Sequence, residues 1–215
     1  IIVPVFCLFV ANIFMIKAYK TEDISNLNIL FRSSLPITFI SGVFLLHERI
    51  TTLNVLGILS VLLGILVIFY EGKKLKPSSG FLFALSAGIL VGSVSFLRKL
   101  AFLYFNPITV VFLVHLFLTI LVLSVPNTYK DIKAIFVKYK KKIILSRFTA
   151  VTAFFLINWA ISKGSISIAN TNYEAAFLLS TSFIGIWILG EKNNMRKKLA
   201  GSFLCILGII LLNFF

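Results

Sequence analysis

Residues 46–72 read LHERITTLNVLGILSVLLGILVIFYEG, and residues 189–215 read LGEKNNMRKKLAGSFLCILGIILLNFF. Each stretch leaves an apolar run, passes an acid beside a base, and continues as an apolar segment carrying two glycines seven residues apart. Seven residues make about two helical turns, so Gly57 and Gly64 share one helix face, as do Gly201 and Gly208. Small residues on one face let membrane helices approach backbone to backbone. A pattern stated twice is an internal repeat, and a repeat constrains the whole architecture.

The register extends upstream. With Glu48 placed on Glu191, Gly42 falls on Gly185 and Phe44 on Trp187, and one residue inserted after the acid aligns the glycine pairs. Further upstream, one constant offset places Ala18, Tyr19, Ile24 and Ser25 on Ala160, Ile161, Ile166 and Ser167.

Composition fixes the solvent. The 215-residue chain is 59% hydrophobic and 13% charged, with a mean hydropathy of +1.03; a soluble domain is about 45–50% apolar. The charges gather in clusters separated by apolar runs of roughly 17–24 residues, the length of a helix that crosses a hydrocarbon core about 30 Å thick. Membrane strands would alternate in polarity over about 9–11 residues, and these runs do not. The expected fold is therefore an all-α polytopic transmembrane bundle of about eight spans. They fall at roughly 1–19, 24–46, 53–70, 80–97, 107–125, 143–162, 167–189 and 199–214.

Spans one to three repeat as spans six to eight. Spans four and five then correspond to two helices expected before Ile1, where the chain opens inside an apolar run. The parent unit is five helices, and an odd number of crossings inverts the second copy relative to the first, a construction common in secondary transporters. The division is 1–72 for the remainder of the first repeat, 73–79 for a linker, and 80–215 for the second repeat. Between spans five and six, Ile132, Ile135 and Phe136 stand at helical spacing among lysines, the pattern of a short interfacial helix.

Several function classes drop out. The net charge of +14 sits in loops, where it suits anionic lipid headgroups, and no segment offers a folded basic surface for nucleic acid. Cys7 and Cys205 lie in apolar runs and read as small buried hydrophobes. HERIT lacks the second histidine of a zinc-binding HExxH, because position 51 is Thr51. GSIS is no nucleophile elbow, because position 168 is Ile168. With no phosphate-cradling loop either, neither an enzyme nor a cofactor is expected, and any work must draw on an ion or substrate gradient.

The patterns AYKTEDIS…FRSSLP…LLHERIT…LGILSVLLGILV and AISKGSIS…LLSTSFIGIWILGEK…LAGSFLCILGIILL resemble equivalent parts of the two repeats of EamA-type proteins, in the drug/metabolite transporter superfamily. The resemblance covers the whole chain. It implies ten helices in the usual member, two more than are read here, and a central cavity near the pseudo-twofold axis lined by the second and seventh spans.

Charges inside spans are costly and default to a functional reading. Arg32 and Glu174 stand well inside spans two and seven, at the same position of the two repeats. Ser25, Asn28 and Arg32 form a stripe on one helix face, and Asn170, Glu174, Phe177 and Thr181 form another. In the implied cavity Arg32 holds a carboxylate, and Glu174 holds an amine or carries a proton. The same two charges would also suit a structural ion pair. Asn12 and Asn158 are expected to offer hydrogen bonds, Trp159 an aromatic wall, and Tyr173 either a stacking face or an interfacial anchor. Lys17 is expected to snorkel from a helix end, and His115 to be hydrogen-bonded packing. Pro36 is expected to kink span two and free a carbonyl toward the cavity. Glu48 and Glu191 are expected to cap the helices that follow them.

The function these features imply is secondary transport of a small polar metabolite, such as an amino acid, across the cell membrane. The partners are then the substrate, a coupled proton, the lipid bilayer, and a second copy docked through the glycine-bearing helices. The rival is a non-transporting membrane scaffold. Lys and Arg concentrate on the side of the 1–2, 3–4, 5–6 and 7–8 loops, which places that side in the cytoplasm. The family's usual arrangement has cytoplasmic termini, which is the opposite orientation.

Overall fold

The computed structural model describes residues 1–21, 24–70, 78–125, 128–184 and 195–213, and the side chains of Ile24, Ser25, Asn26, Phe69, 128–134 and Thr181 are outside the description. Gly185, Trp187, Glu191 and most of the 73–79 linker lie outside the described residues, as do the side chains of Ser25, Ile132 and Thr181.

The described chain is helical throughout: α1 (Ile2–Tyr19), α2 (Ile24–Phe31), α3 (Ser34–Ile40), α4 (Thr52–Phe69), α5 (Ser79–Ala101), α6 (Pro107–Leu123), α7 (Thr128–Lys163), α8 (Ile166–Phe183) and α9 (Met195–Asn213). Four segments are long and apolar enough to cross a bilayer: Ile2–Tyr19, Leu27–Leu45, Ser79–Ala101 and Ile135–Lys163. Thr52–Ile68 and Pro107–Leu123 are apolar but shorter.

Three elements differ from the spans read in the sequence. Span two is broken at Arg32–Ser33, and α3 then runs into a π-helical turn, Ser41–Leu45. Pro36 accounts for the break. It has no N–H for the carbonyl of Arg32 and its ring crowds that carbonyl. The Arg32 carbonyl is instead taken by the Leu35 N–H at 2.9 Å, so it is not freed toward the cavity. Span four does not stop at Arg98 and Lys99 but carries both inside α5. The Lys99 ammonium donates to the carbonyls of Ile161 and Gly164, both at 2.7 Å, which satisfies the C-terminal end of α7. The 126–142 connector is helical from Thr128 and continues into span six as α7, interrupted only at Tyr139, whose backbone is non-helical. Ile135 and Phe136 are exposed there, as an interfacial helix requires.

The largest contact between helices joins α4 to α9. A Cβ built on Gly57 would lie 2.9 Å from the Gly208 carbonyl oxygen, and one on Gly208 would lie 2.7 Å from that of Gly57. Gly64 and Gly201 stand in the same relation, at 2.7 and 2.6 Å. Exchanging the repeats turns the pair Gly57–Gly208 into Gly201–Gly64, which is also present. Such reciprocity is the signature of a two-fold axis, here a pseudo-axis passing between α4 and α9. Ser60 Oγ donates to the Leu204 carbonyl at 2.9 Å and Asn54 Nδ2 to that of Leu212 at 3.2 Å, hydrogen bonds that only close backbones permit. These four glycines are therefore occupied by the contact between α4 and α9 within the chain.

Around this seam, Leu35, Val61, Ile65, Ala175, Leu178 and Cys205 form one buried cluster joining α3, α4, α8 and α9. On the other side, α5 packs against α1, α2 and α3. Gly88 and Gly92 make this possible: a Cβ on Gly88 would sit 2.9 Å from the Phe31 carbonyl, and one on Gly92 2.7 Å from that of Ser34. Those carbonyls flank the break in span two, so α5 is seated on the point where that span is interrupted.

Candidate functional site

Arg32 stands at the break between α2 and α3, and its guanidinium forms an ion pair with Glu174 of α8. Both side chains are largely buried, at 13% and 14% exposure. The two residues hold equivalent positions in the repeats, and equivalent positions touch only on the symmetry axis. The ion pair thus lies on the axis that runs through the glycine seam. The Arg32 guanidinium also lies 5.3 Å from the centre of the Phe177 ring, a cation–π distance.

Two cavities flank the pair. The larger, about 330 Å³, is lined by Tyr19, Asn28, Arg32, Ser34, Tyr173, Glu174 and Phe177 among others. The smaller, about 170 Å³, is lined by Ser34, Thr38, Ser95, Arg98, Asn170, Tyr173 and Glu174 with apolar neighbours. Ser34, Val91, Tyr173 and Glu174 border both. The Arg32–Glu174 bridge therefore stands at a partition, with Glu174 facing either compartment.

The structure brings together most of the residues singled out in the sequence. Asn28, Arg32, Tyr173 and Glu174 line the first cavity, and Asn170, Tyr173 and Glu174 the second. Asn158 is fully buried and acts one step back: its Nδ2 donates to the Phe154 carbonyl at 2.6 Å, and its Oδ1 accepts from Arg98 Nη1 at 3.3 Å. Trp159 does not line either of these two cavities. It is half-exposed and packs edge-on against Phe155 at 5.7 Å, because a neighbour in sequence is turned about 100° around the helix. Asn12 also faces outward and satisfies its amide on the Leu8 carbonyl at 2.8 Å. Lys17 is exposed at the end of α1, 5.2 Å from the Phe83 ring, and His115 is tied to the Val111 carbonyl at 2.9 Å and packs on Phe154. Among the described residues, no group of His, Cys, Asp and Glu could hold a metal ion.

The residue that the sequence does not single out is Arg98, one position past span four as read at 80–97. It is 6% exposed. Its Nη2 donates to Ser95 Oγ at 3.1 Å, its Nη1 to Asn158, and it lies 5.1 Å from the centre of the Phe154 ring. A signal was present. Gly88, Val91, Ser95 and Arg98 follow one another at spacings of three and four, one face of α5, and all four line the two cavities.

Glu48 caps a helix, but not the one that follows it. The start of α4 is closed by a capping box in which Thr51 Oγ1 accepts from Asn54 N–H and Asn54 Oδ1 accepts from Thr51 N–H. Glu48 reaches instead across the repeat to the start of α8. Its Oε1 accepts from Ile166 N–H at 2.5 Å, and its Oε2 accepts from the hydroxyls of Ser165 and Ser167 at 2.7 and 2.8 Å. The chain is aimed this way by His47, whose φ of 52° places it in the left-handed region and reverses direction after the π-helical turn. An anion at the positive end of α8 is favourable, and it anchors the helix that carries Glu174.

A solved structure described only as "Crystal structure of protein" has this fold, with a TM-score of 0.68 at 17% identity, over 98% of this chain and 75% of that one. No curated protein sequence matches the chain. The EamA-like transporter family matches residues 1–70 and 78–214, which takes in both repeats, the glycine seam and the charged pair on the axis. By this match and by its apolar helices, the chain is an integral membrane protein of the EamA-like transporter family, a family of membrane transporters in the drug/metabolite superfamily.

Proposed function

We propose that the protein is a secondary carrier of the cell membrane that moves a small polar metabolite by alternating access between its two inverted repeats. The observation that carries this reading is the Arg32–Glu174 ion pair. It lies on the pseudo-twofold axis beside two cavities, and Glu174 borders both. A bridge in that position closes one compartment from the other, and exchanging it for contacts with a substrate or a proton opens the path. Symmetry supplies the second state, because two inverted halves can trade conformations about their axis. The scaffold rival would dock through the glycine faces, and these are turned toward each other.

The test is uptake of radiolabelled amino acids into liposomes holding the purified protein, across a range of pH. Arg32→Ala and Glu174→Gln are each expected to reduce transport at least tenfold, and Glu174→Gln to flatten its pH dependence. Unchanged rates and unchanged pH profiles in both variants would overturn the reading.

A further inference from the structure

We infer that Arg98, rather than Arg32, holds the carboxylate of the transported molecule, so that the smaller compartment is a carboxylate subsite. This deepens the carrier reading above and rests on it. The guanidinium of Arg32 already has its counter-ion in Glu174. That of Arg98 forms no ion pair among the described residues; its contacts are with Ser95 Oγ, Asn158 Oδ1 and the Phe154 ring. Its Nε is buried without a hydrogen-bond acceptor. A buried cation lacking an anion is unfavourable, and an arginine presents paired N–H groups that match a carboxylate.

The surroundings complete the site. The cavity of about 170 Å³ that Arg98 lines also presents Ser34, Asn170 and Tyr173, which offer further donors to an anion, the second amide hydrogen of Asn170 beside the one given to the Ile166 carbonyl. Its volume takes a carboxylate and a short chain, and not a bulky head. Asn158 holds the guanidinium in place from behind and is itself fixed to the Phe154 carbonyl, which makes it a positioning residue. Glu174 lines the same cavity, so a carboxylate on Arg98 and an amine on Glu174 would draw an amino acid into one compartment. Capture of Glu174 by that amine would loosen it from Arg32, which couples occupancy of the subsite to the bridge on the axis.

The experiment is a thermal-unfolding titration of the full chain in detergent with sodium acetate, L-alanine, L-alaninamide and sodium chloride. Acetate and L-alanine are expected to raise the melting temperature saturably, with L-alaninamide and chloride giving no saturable shift. Absence of a saturable shift with both carboxylates, or an equal shift with chloride, overturns the proposal on the native protein alone. Arg98→Gln is expected to weaken acetate binding at least tenfold, while Arg98→Lys, which keeps the charge, retains part of it. Acetate binding equal to the native protein's in a folded Arg98→Gln variant also overturns it. The two readings fail separately. Saturable, Arg98-dependent binding with no flux of L-alanine into liposomes removes the carrier and leaves the subsite. Native flux in Arg98→Gln removes the subsite and leaves the carrier.

Discussion

The pseudo-twofold axis passes through two contacts between repeat-equivalent helices, and they are made in opposite ways. At the α4–α9 seam, glycine meets glycine and each backbone carbonyl lies where a side chain would otherwise stand. Where α2 and α3 meet α8, an arginine meets a glutamate beside two cavities. One contact is dry, close and built from atoms with no freedom to rearrange. The other is polar, broken by Pro36, and made by side chains with alternative partners nearby. In lipid the apolar solvent gives helices little reason to associate except close packing and hydrogen bonds. A seam of glycines therefore supplies rigidity, and in the proposed carrier the charged pair on the same axis would be the part that moves against it.

The sharpest way to break this comparison is to remove half of the charged contact. Arg32→Ala leaves Glu174 buried without its counter-ion and is expected to cost about 3–5 kcal/mol of stability. The double variant Arg32→Met with Glu174→Met is expected to recover most of that stability while transport stays lost. Both are read as melting temperatures in detergent alongside liposome uptake, and transport by the double variant would make the pair structural only. Next in size is the seam. Gly64→Leu must displace the Gly201 carbonyl and is expected to cost about 3 kcal/mol, with no rescue by a compensating charge. A melting temperature equal to the native protein's would show that α4 and α9 are further apart than described.

A smaller effect is expected at the anchor of the charged contact. Glu48→Gln weakens the cap of α8 and is expected to cost about 1–2 kcal/mol. Because α8 carries Glu174, the loss of stability should come with faster amide hydrogen exchange in the first turn of α8, and an unchanged exchange rate there would remove Glu48 from the anchor. The smallest effects belong outside the cavities. Trp159→Ala and Asn12→Ala are expected to leave the transport rate within about twofold, since surface changes away from such features are usually small. A tenfold loss in either would bring the outward faces of α7 and α1 into the site.

The comparison also explains what could be read early. Glycine spacing, apolar run length and the offset between the repeats are properties of local sequence, so the helices, the inverted repeat and the equivalence of Arg32 with Glu174 were all legible. Arg98 was not, because a base followed by a second base at the end of an apolar run looks like the edge of a membrane span. Only the acceptors at the end of α7 and just past it show otherwise: the carbonyls of Ile161 and Gly164 take up Lys99, and Asn158 takes up Arg98. The outward positions of Trp159 and Asn12 were not legible for a related reason. Periodicity says which residues share a face, and it does not say which face turns inward when the helix is apolar all round.

By itself, the sequence determined a membrane-embedded helical chain, its inverted repeat, the glycine faces and the two charges at matching positions. Each of these follows from spacing along one helix or from one repeat laid over the other. The tertiary structure alone decided that the charges pair on the axis, that Glu48 caps α8 rather than α4, and that Arg98 lies buried beside a cavity. Those are relations between residues far apart in the chain. They depend on which carbonyls, hydroxyls and amides the packing brings within hydrogen-bond reach, and no local pattern encodes that.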